Sequence, residues 1–230
     1  MTKIVILTGA GVSAESGLGT FRDKDGIWAQ VSLEDVATPE GFARDPARVH
    51  AFYNARRIGA AAAKPNAAHR ALARLQRDWP GEVVIVTQNV DALHEAGGAA
   101  QVIHMHGRLD SALCAACGHR WAAPPELSIA TPCPACGALA ARPDVVWFGE
   151  MPYHLDEIFS QLAAATLFVA IGTSGQVYPA AGFVAEAAAG GAHTVELNLE
   201  PSAVVSAFAE TRLGPASVIV PQWVDEMLAR

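Results

Sequence analysis

This sequence predicts an α/β fold: a Rossmann-like, doubly wound, mostly parallel sheet with a smaller helical plus zinc-ribbon module. Three observations point there. Short β-branched runs alternate with helical stretches, the first run passes straight into a glycine-rich turn, and all four cysteines fall in one proline-rich segment that breaks the alternation. Lys3 to Thr8 is the first run, long enough for one buried strand and too short for a helix. It ends on Gly9-Ala10-Gly11-Val12-Ser13-Ala14, which fits G-x-G-x-x-G/A. In a dinucleotide site the first glycine allows the sharp turn, the second lets backbone approach a pyrophosphate, and the small third residue lets a helix pack close. A tight structural turn would use the same residues. The acid that a dehydrogenase-type site places about 20 residues further on is absent. Gly17 to Trp28 is instead an irregular, glycine-punctuated loop holding Phe21, Arg22 and Trp28, of the kind that forms lids and binding loops.

The later elements follow the same logic. Asp45-Pro46 reads as an N-cap with proline at the first helical position, opening a helix to about Ala63 that Lys64-Pro65 closes. Asn66 caps a second helix through Arg77, with Ala68, Leu72 and Leu75 inward. Glu82 to Thr87 is a second buried strand, and it delivers Gln88-Asn89-Val90-Asp91 to the edge where open α/β sheets bind ligands. A short helix to Glu95 stops at Gly97-Gly98, and Gln101 to His106 is expected as a third strand broken at Gly107. After the cysteine segment come Val145-Val146-Trp147-Phe148, a helix near Asp156 to Ala165, and the strand Leu167 to Ile171 feeding a second glycine loop, Gly172-Thr173-Ser174-Gly175. A helix from Pro179 to Ala189, the strand Thr194 to Leu197, Asn198-Leu199-Glu200, and helices from Ser202 to Glu210 and from Pro221 to Leu228 complete the expected order. The nucleotide-binding domain is thus expected from 1–30, 66–110 and 143–230, with a small domain made of a helical part, 31–65, and a ribbon, 111–142.

Composition narrows the function. The chain has 230 residues, 51% of them hydrophobic, with a net charge of −7. An acidic balance argues against nucleic acid as the main partner and suits lysine-rich polypeptides. No apolar run is long enough to span a bilayer and no charged-then-apolar leader opens the chain, so no membrane partner and a cytoplasmic location are expected.

Cys114-x-x-Cys117 and Cys133-x-x-Cys136 stand 15 residues apart, the spacing of a zinc ribbon in which two knuckles close one tetrahedral site. Four thiolates complete the coordination and leave no open position for a reactive water or for nearby His119, so the zinc is read as structural. A disulfide framework is the alternative, disfavoured in a cytoplasmic chain.

Two further features bear on chemistry. A histidine titrates near neutrality and can accept and return a proton. His104 and His106 would share one face of a strand, so spacing does not choose between them. In the helix opened by Pro46, Val49, Phe52 and Tyr53 define the inward stripe, with Arg56 near its middle and Arg57 near its edge. An arginine in an apolar stripe needs an anion or a partner; snorkelling to water or a nearby acid answers the same need.

Taken together, Gly9 to Gly17, Thr87 to Asp91, His106-Gly107, the two Cys-x-x-Cys pairs, Gly172-Thr173-Ser174 and Asn198-Leu199-Glu200 resemble the sirtuin family of NAD-dependent protein-lysine deacylases, in the family's order and over nearly the whole chain. Arg142 to Glu150 and the pair Tyr53-x-x-Arg56 look like its bacterial class III branch. One departure is Leu18-Gly19-Thr20, where many sirtuins carry Ile-Pro-Asp.

The resemblance implies that an acyl-lysine carbonyl oxygen displaces nicotinamide from NAD and that a base activates a ribose hydroxyl, giving O-acyl-ADP-ribose and free lysine. It selects His106 as that base, because the family's histidine directly precedes glycine, and it places Asn89 in the catalytic set as well. NAD contacts are implied for Gly9, Ala10, Gly11, Ala14, Glu15, Thr20, Phe21, Arg22, Trp28, Gln88, Asn89, Val90, Asp91, Gly172, Thr173, Ser174, Asn198, Leu199, Glu200 and Ala216. Asp91 would take the nicotinamide amide, Gln88 and Asn89 the ribose, Glu200 the adenosine ribose and Ala216 the adenine. Tyr53 and Arg56 match the pair that binds the carboxylate of succinyl- or malonyl-lysine, with Ala37 enlarging the acyl pocket. Val146, Phe148 and Gly149 would flank an acyl-lysine peptide or protein bound as an added strand. An ordinary NAD oxidoreductase shares the first motif but explains neither the loop, the missing acid nor the ribbon; a nucleotide-binding sensor without turnover is the non-enzyme alternative.

Overall fold

The computed structural model describes residues 2–19 and 32–229. Thr20, Phe21, Arg22 and Trp28 lie outside the described residues. Nine strands are described: β1 (Lys3–Thr8), β2 (Glu82–Thr87), β3 (Val102–His104), β4 (Gly107–Cys114), β5 (Arg120–Ala122), β6 (Ala141–Val145), β7 (Leu167–Ile171), β8 (His193–Asn198) and β9 (Glu210–Leu213). Six form a wholly parallel sheet in the order β3-β2-β1-β7-β8-β9, and three form an antiparallel sheet in the order β5-β4-β6.

The β-branched runs become central strands because both faces are covered. On one face Ile4, Ile6, Val169 and Ile171 pack under the helices Ala67–Asp78 and Ala216–Leu228; on the other Val5, Leu7, Phe168 and Ala170 pack under Leu155–Ala163 and Phe183–Ala189. From β1 the chain winds outward through β2 and β3, then returns to lay β7 on the opposite side of β1. The strand order therefore reverses between β1 and β7. The loops leaving their carboxyl ends, Gly9–Gly11 and Gly172–Ser174, open the crevice where such sheets hold ligands.

The helix Pro46–Ala62 begins as expected, with the Asp45 side chain accepting from Arg48 N at 3.0 Å, and Asn66 caps Ala67–Asp78 by accepting from Ala68 N at 2.9 Å. Several expectations need correcting. The third strand ends at His104: Met105 N makes the last ladder bond, to the Thr87 carbonyl at 3.0 Å, and Met105 and His106 then turn, so His104 and His106 do not share a strand face. No helix spans Ser202 to Glu210. A single turn, Val205–Ala207, leads into β9, an edge strand whose alternating burial carries too few apolar residues to announce itself. The last helix starts at Ala216, not Pro221; Pro221 sits inside it, where its missing N–H leaves the Ser217 carbonyl without its intrahelical donor. Pro179 to Ala189 splits into a 3₁₀ turn, Ala180–Gly182, and the helix Phe183–Ala189. No helix among the described residues is long and apolar enough to cross a membrane.

Candidate active site

The two glycine loops touch. Gly11 N donates to the Gly172 carbonyl at 2.8 Å, and a Cβ on Gly9 or Gly11 would lie within 2.7 Å or 2.8 Å of Gly172 backbone. Contact with a loop over 160 residues away in the chain therefore demands these glycines, in addition to any need to admit a pyrophosphate. Ala14 is exposed, and the helix it ends, Gly11–Ala14, is one turn long, so its small side chain serves no close helix packing.

Behind the loops lies a connected polar layer. Ser13 Oγ accepts from Asn89 Nδ2 and donates to Asp91 Oδ2, both at 3.1 Å, joining the first glycine loop to the end of β2. Asp91 Oδ1 accepts from Leu93 N at 3.0 Å; burial raises its pKa against those hydrogen bonds. Gln88 Nε2 donates to Thr173 Oγ1 at 3.1 Å and Asn198 Nδ2 to the Thr173 carbonyl at 2.8 Å, so three separate motifs meet at one residue. Gly214 N donates to the Asn198 carbonyl at 2.9 Å, tying the turn before Ala216 to the end of β8, after which Leu199 and Glu200 are exposed. Glu15 accepts from the backbone N and Oγ of Ser217 at 2.8 and 2.6 Å, anchoring the amino end of the last helix. Val90 packs with Tyr53 in the apolar cluster of the small helices.

The sequence assigns no site role to Ser13, Thr8, Thr87, His69 or His94, and marks Asn66 only as a helix cap. Thr8 and Thr87 end paired strands in register, and Thr8 Oγ1 donates to Thr87 Oγ1 at 2.8 Å. That uses the Thr8 hydrogen, so His94 Nε2, 2.9 Å from Thr8 Oγ1, must be the donor there, and its buried Nδ1 keeps a bare lone pair without a partner among the described residues. His69 takes the Asn66 N–H on Nδ1 at 3.2 Å and stands edge-on to His94 with ring centroids 5.0 Å apart. Burial pulls both down from the usual 6.5, His69 to about 4 and His94 to about 3.

The sign follows. In the window from pH 6.5 down to about 4 the unfolded histidines take up protons that the folded ones refuse. Their contribution is complete above pH 6.5 and is lost as pH falls, at about 1.4 kcal/mol per unit per group, partly opposed by Asp91. The thermal midpoint should therefore fall between pH 7.5 and 5, and fall less in His94→Asn; a flat wild-type profile would refute this.

His106 stands at the crevice. Its Nδ1 lies 3.0 Å from the Gln88 carbonyl, which can only accept, so Nδ1 carries the hydrogen and Nε2 of the neutral ring is the basic atom. Burial lowers its pKa while the Gln88 carbonyl raises it, leaving it below the usual 6.5. Gly107 follows with φ +79°, and a Cβ there would lie 2.1 Å from the Asp144 carbonyl, which explains the His-Gly pair. His104, by contrast, is buried with Nε2 2.7 Å from Glu95, which Arg108 also holds. Burial pushes Glu95 upward, but these partners outweigh it and bring its pKa to about 2.

Beside the crevice, Tyr53 and Ala37 are buried in one cluster with Trp147, and Phe148 N donates to the Ala37 carbonyl at 2.9 Å. Val146 N donates to the His106 carbonyl at 2.9 Å, while Phe148 and Gly149 are exposed. Arg56 stands over the Phe52 and Tyr53 rings, 5.8 and 5.9 Å from their centroids. Burial lowers its pKa, and Tyr53 and Asp91 push it back up. The helical stripe misplaced its neighbour. Arg57, expected near the edge, is the more buried arginine, with Nε donating to the Leu109 carbonyl at 2.6 Å and Nη1 to Asn54 Oδ1 at 2.7 Å. A helical wheel cannot register that β4 covers this side.

The four cysteines form one cluster. Cys114 Sγ lies 3.7 Å from Cys136 Sγ, Cys117 Sγ lies 3.7 Å from Cys133 Sγ, and all four sulfurs fall within 4.8 Å of one another. A tetrahedron with zinc–sulfur bonds of about 2.3 Å has edges of about 3.8 Å, so the set fits zinc. Two matching knuckles build it: Gly118 N donates to the Cys114 carbonyl at 2.9 Å and Gly137 N to that of Cys133 at 2.8 Å.

Residues 9–179 match the Sir2 family. A protein of Caulobacter vibrioides named NAD-dependent protein deacylase is 57% identical over 99% of this chain and 98% of its own length. A crystal structure of a Sir2 homologue in complex with NAD superposes with a TM-score of 0.90 at 37% identity, covering 98% of this chain and 89% of that one. A Sir2 structure with a deacetylated p53 peptide and 3′-O-acetyl ADP-ribose superposes with a TM-score of 0.85 at 28% identity, over 97% and 92%.

Proposed function

The chain belongs to the Sir2 family and is an NAD-dependent protein deacylase; we propose that it removes succinyl, malonyl and acetyl groups from protein lysines, giving nicotinamide, O-acyl-ADP-ribose and free lysine. The observation that carries this reading is the meeting of His106 with Gln88, Asn89 and Asp91 beside two touching glycine loops at the strand-order reversal. NAD, when bound, supplies the ribose carbon that accepts the acyl oxygen and the nicotinamide that leaves. The protein's own part is to hold and to move a proton. Gly9, Ala10, Gly11, Gly172, Thr173 and Ser174 line the phosphate end, Asn198 to Glu200 and Ala216 the adenosine end, and Gln88, Asn89 and Asp91 the ribose and amide. His106 Nε2 accepts a proton from a hydroxyl, while Nδ1–H stays anchored on the Gln88 carbonyl.

Acyl choice falls to Tyr53 and Arg56, with Ala37 leaving room. The side of the crevice they form carries a cation and a phenol among apolar rings, which suits an acidic acyl group and costs a neutral one little. Val146, Phe148 and Gly149 would take the peptide as an added strand through backbone hydrogen bonds, so few side chains of the substrate are read.

Mass spectrometry of products from NAD with matched acetyl- and succinyl-peptides tests the whole reading; intact NAD with every acyl-peptide would refute it. A hydrogen bond to a charged group contributes about 1.5–3 kcal/mol, or about 10- to 150-fold. Arg56→Met is therefore expected to lose desuccinylation by about that factor while keeping more of its deacetylation. Equal loss of both would count against the selectivity role.

A further inference from the structure

Trp147 is buried directly beneath the proposed acyl pocket, and nothing above assigns it a part in the reaction. Its indole Nε1–H donates to the Tyr53 phenol oxygen at 3.0 Å. An indole N–H can only donate, so the Tyr53 oxygen is the acceptor in that bond, and the phenol hydrogen must point to some other group. The indole is held hard in place. The Arg142 guanidinium carbon lies 3.5 Å from its ring centroid, and Phe42 packs on it with centroids 5.1 Å apart. Arg142 is itself fixed by a two-pronged pair with Glu150 at 2.6 and 2.9 Å, and Glu150 Oε2 also accepts from Trp147 N at 2.8 Å. A rigid donor thus meets one lone pair of a buried phenol that stands beside Arg56.

We propose that Trp147 is a specificity-positioning residue: by donating to the Tyr53 oxygen it turns the phenol hydrogen toward the carboxylate of an acidic acyl-lysine. This rests on the reading of Tyr53 and Arg56 as the acyl-carboxylate site. A phenol free to rotate would spend part of its time presenting a lone pair to that carboxylate, which repels; with the indole in place only the donor arrangement remains. A neutral acetyl group has no carboxylate to feel the difference, so the effect belongs to the ratio of the two activities.

The test compares two replacements. Imidazole overlays the five-membered ring of indole, with its Nε2 where the indole Nε1 stands, so Trp147→His keeps the donor and loses bulk. Trp147→Phe keeps more bulk and loses the donor. For each, kcat and KM are measured with succinyl- and acetyl-peptides at pH 8, beside Tyr53→Phe, with zinc content and thermal midpoint confirming the fold. Trp147→Phe should lower the desuccinylation-to-deacetylation ratio by about 3- to 10-fold, mostly through KM for the succinyl-peptide, the scale of one neutral hydrogen bond. Trp147→His should keep the ratio within about twofold of wild type, despite a lower thermal midpoint. A packing role predicts the reverse order, and a ratio better kept by Phe than by His, or lost equally in both, overturns the proposal. If Tyr53→Phe leaves the ratio unchanged, the Tyr53 reading itself fails and this inference falls with it, an outcome separate from failure at Trp147 alone.

Discussion

Replacing His106 with tyrosine is expected to stop turnover while leaving zinc and NAD bound. A positioned base contributes roughly 10²- to 10⁴-fold, so the variant should fall to or below about one hundredth of the wild-type rate. The Gln88 carbonyl fixes the hydrogen on Nδ1 and leaves the lone pair on Nε2, and burial keeps the ring below its usual 6.5, so at neutral pH the base is ready. A tyrosine phenol, with a pKa of about 10, keeps its proton there and offers none of that basicity. The same geometry sets the pH profile. Because the folded pKa lies below 6.5, the acid limb of kcat/KM should fall below pH 6.5 and disappear with the histidine. Equilibrium NAD binding and zinc content, measured beside the rate, separate a lost base from a lost fold. A variant that deacylates at the wild-type rate would overturn the assignment.

Why some parts of the fold and site are legible in the sequence and others are not is itself physical. The His106-Gly107 pair is a local signal, since Gly107 answers a backbone clash immediately beside the ring. The runs Lys3–Thr8, Glu82–Thr87 and Leu167–Ile171 announce themselves because strands covered on both faces must be apolar throughout. An edge strand such as Glu210–Leu213 carries no such demand, and its first residue, Glu210, reads equally well as the end of a helix. Long-range reasons are invisible in one dimension. Gly9 and Gly11 fit a nucleotide motif, yet their Cβ positions collide with Gly172; Arg57 sits at the edge of a helical stripe, yet the Leu109 carbonyl buries it. Ser13 is one unmarked position of a motif in the sequence, although its Oγ is the atom on which Asn89 and Asp91 converge.

The second large effect is expected from removing zinc, which touches no reacting atom. The cysteine end of the antiparallel sheet has little core of its own: Ala112, Leu127 and Ala141 form its buried apolar cluster, joined by the half-buried Trp121 and Ala123, while Leu109 and Val145 pack with the small helices instead. Structural zinc is worth about 10–16 kcal/mol in small modules, against a net stability of about 5–15 kcal/mol for a whole domain. Without the metal the ribbon should therefore come apart. The consequence then reaches the crevice through two strands. β4 begins at Gly107, immediately after His106, and β6 carries Arg142, which holds Glu150 and Trp147, and Asp144, which accepts from Ser111 Oγ at 2.8 Å, Tyr153 OH at 3.0 Å and Arg120 Nε at 3.1 Å. Chelation is expected to abolish deacylation and lower the thermal midpoint while most far-ultraviolet circular dichroism remains, because the parallel sheet keeps its own two apolar faces. Cys114→Ala, at a fully buried ligand, should do the same permanently, whereas added zinc should restore the chelated wild type. Metal-free protein with full activity and an unchanged midpoint would show that the ribbon neither needs the metal nor supports the site.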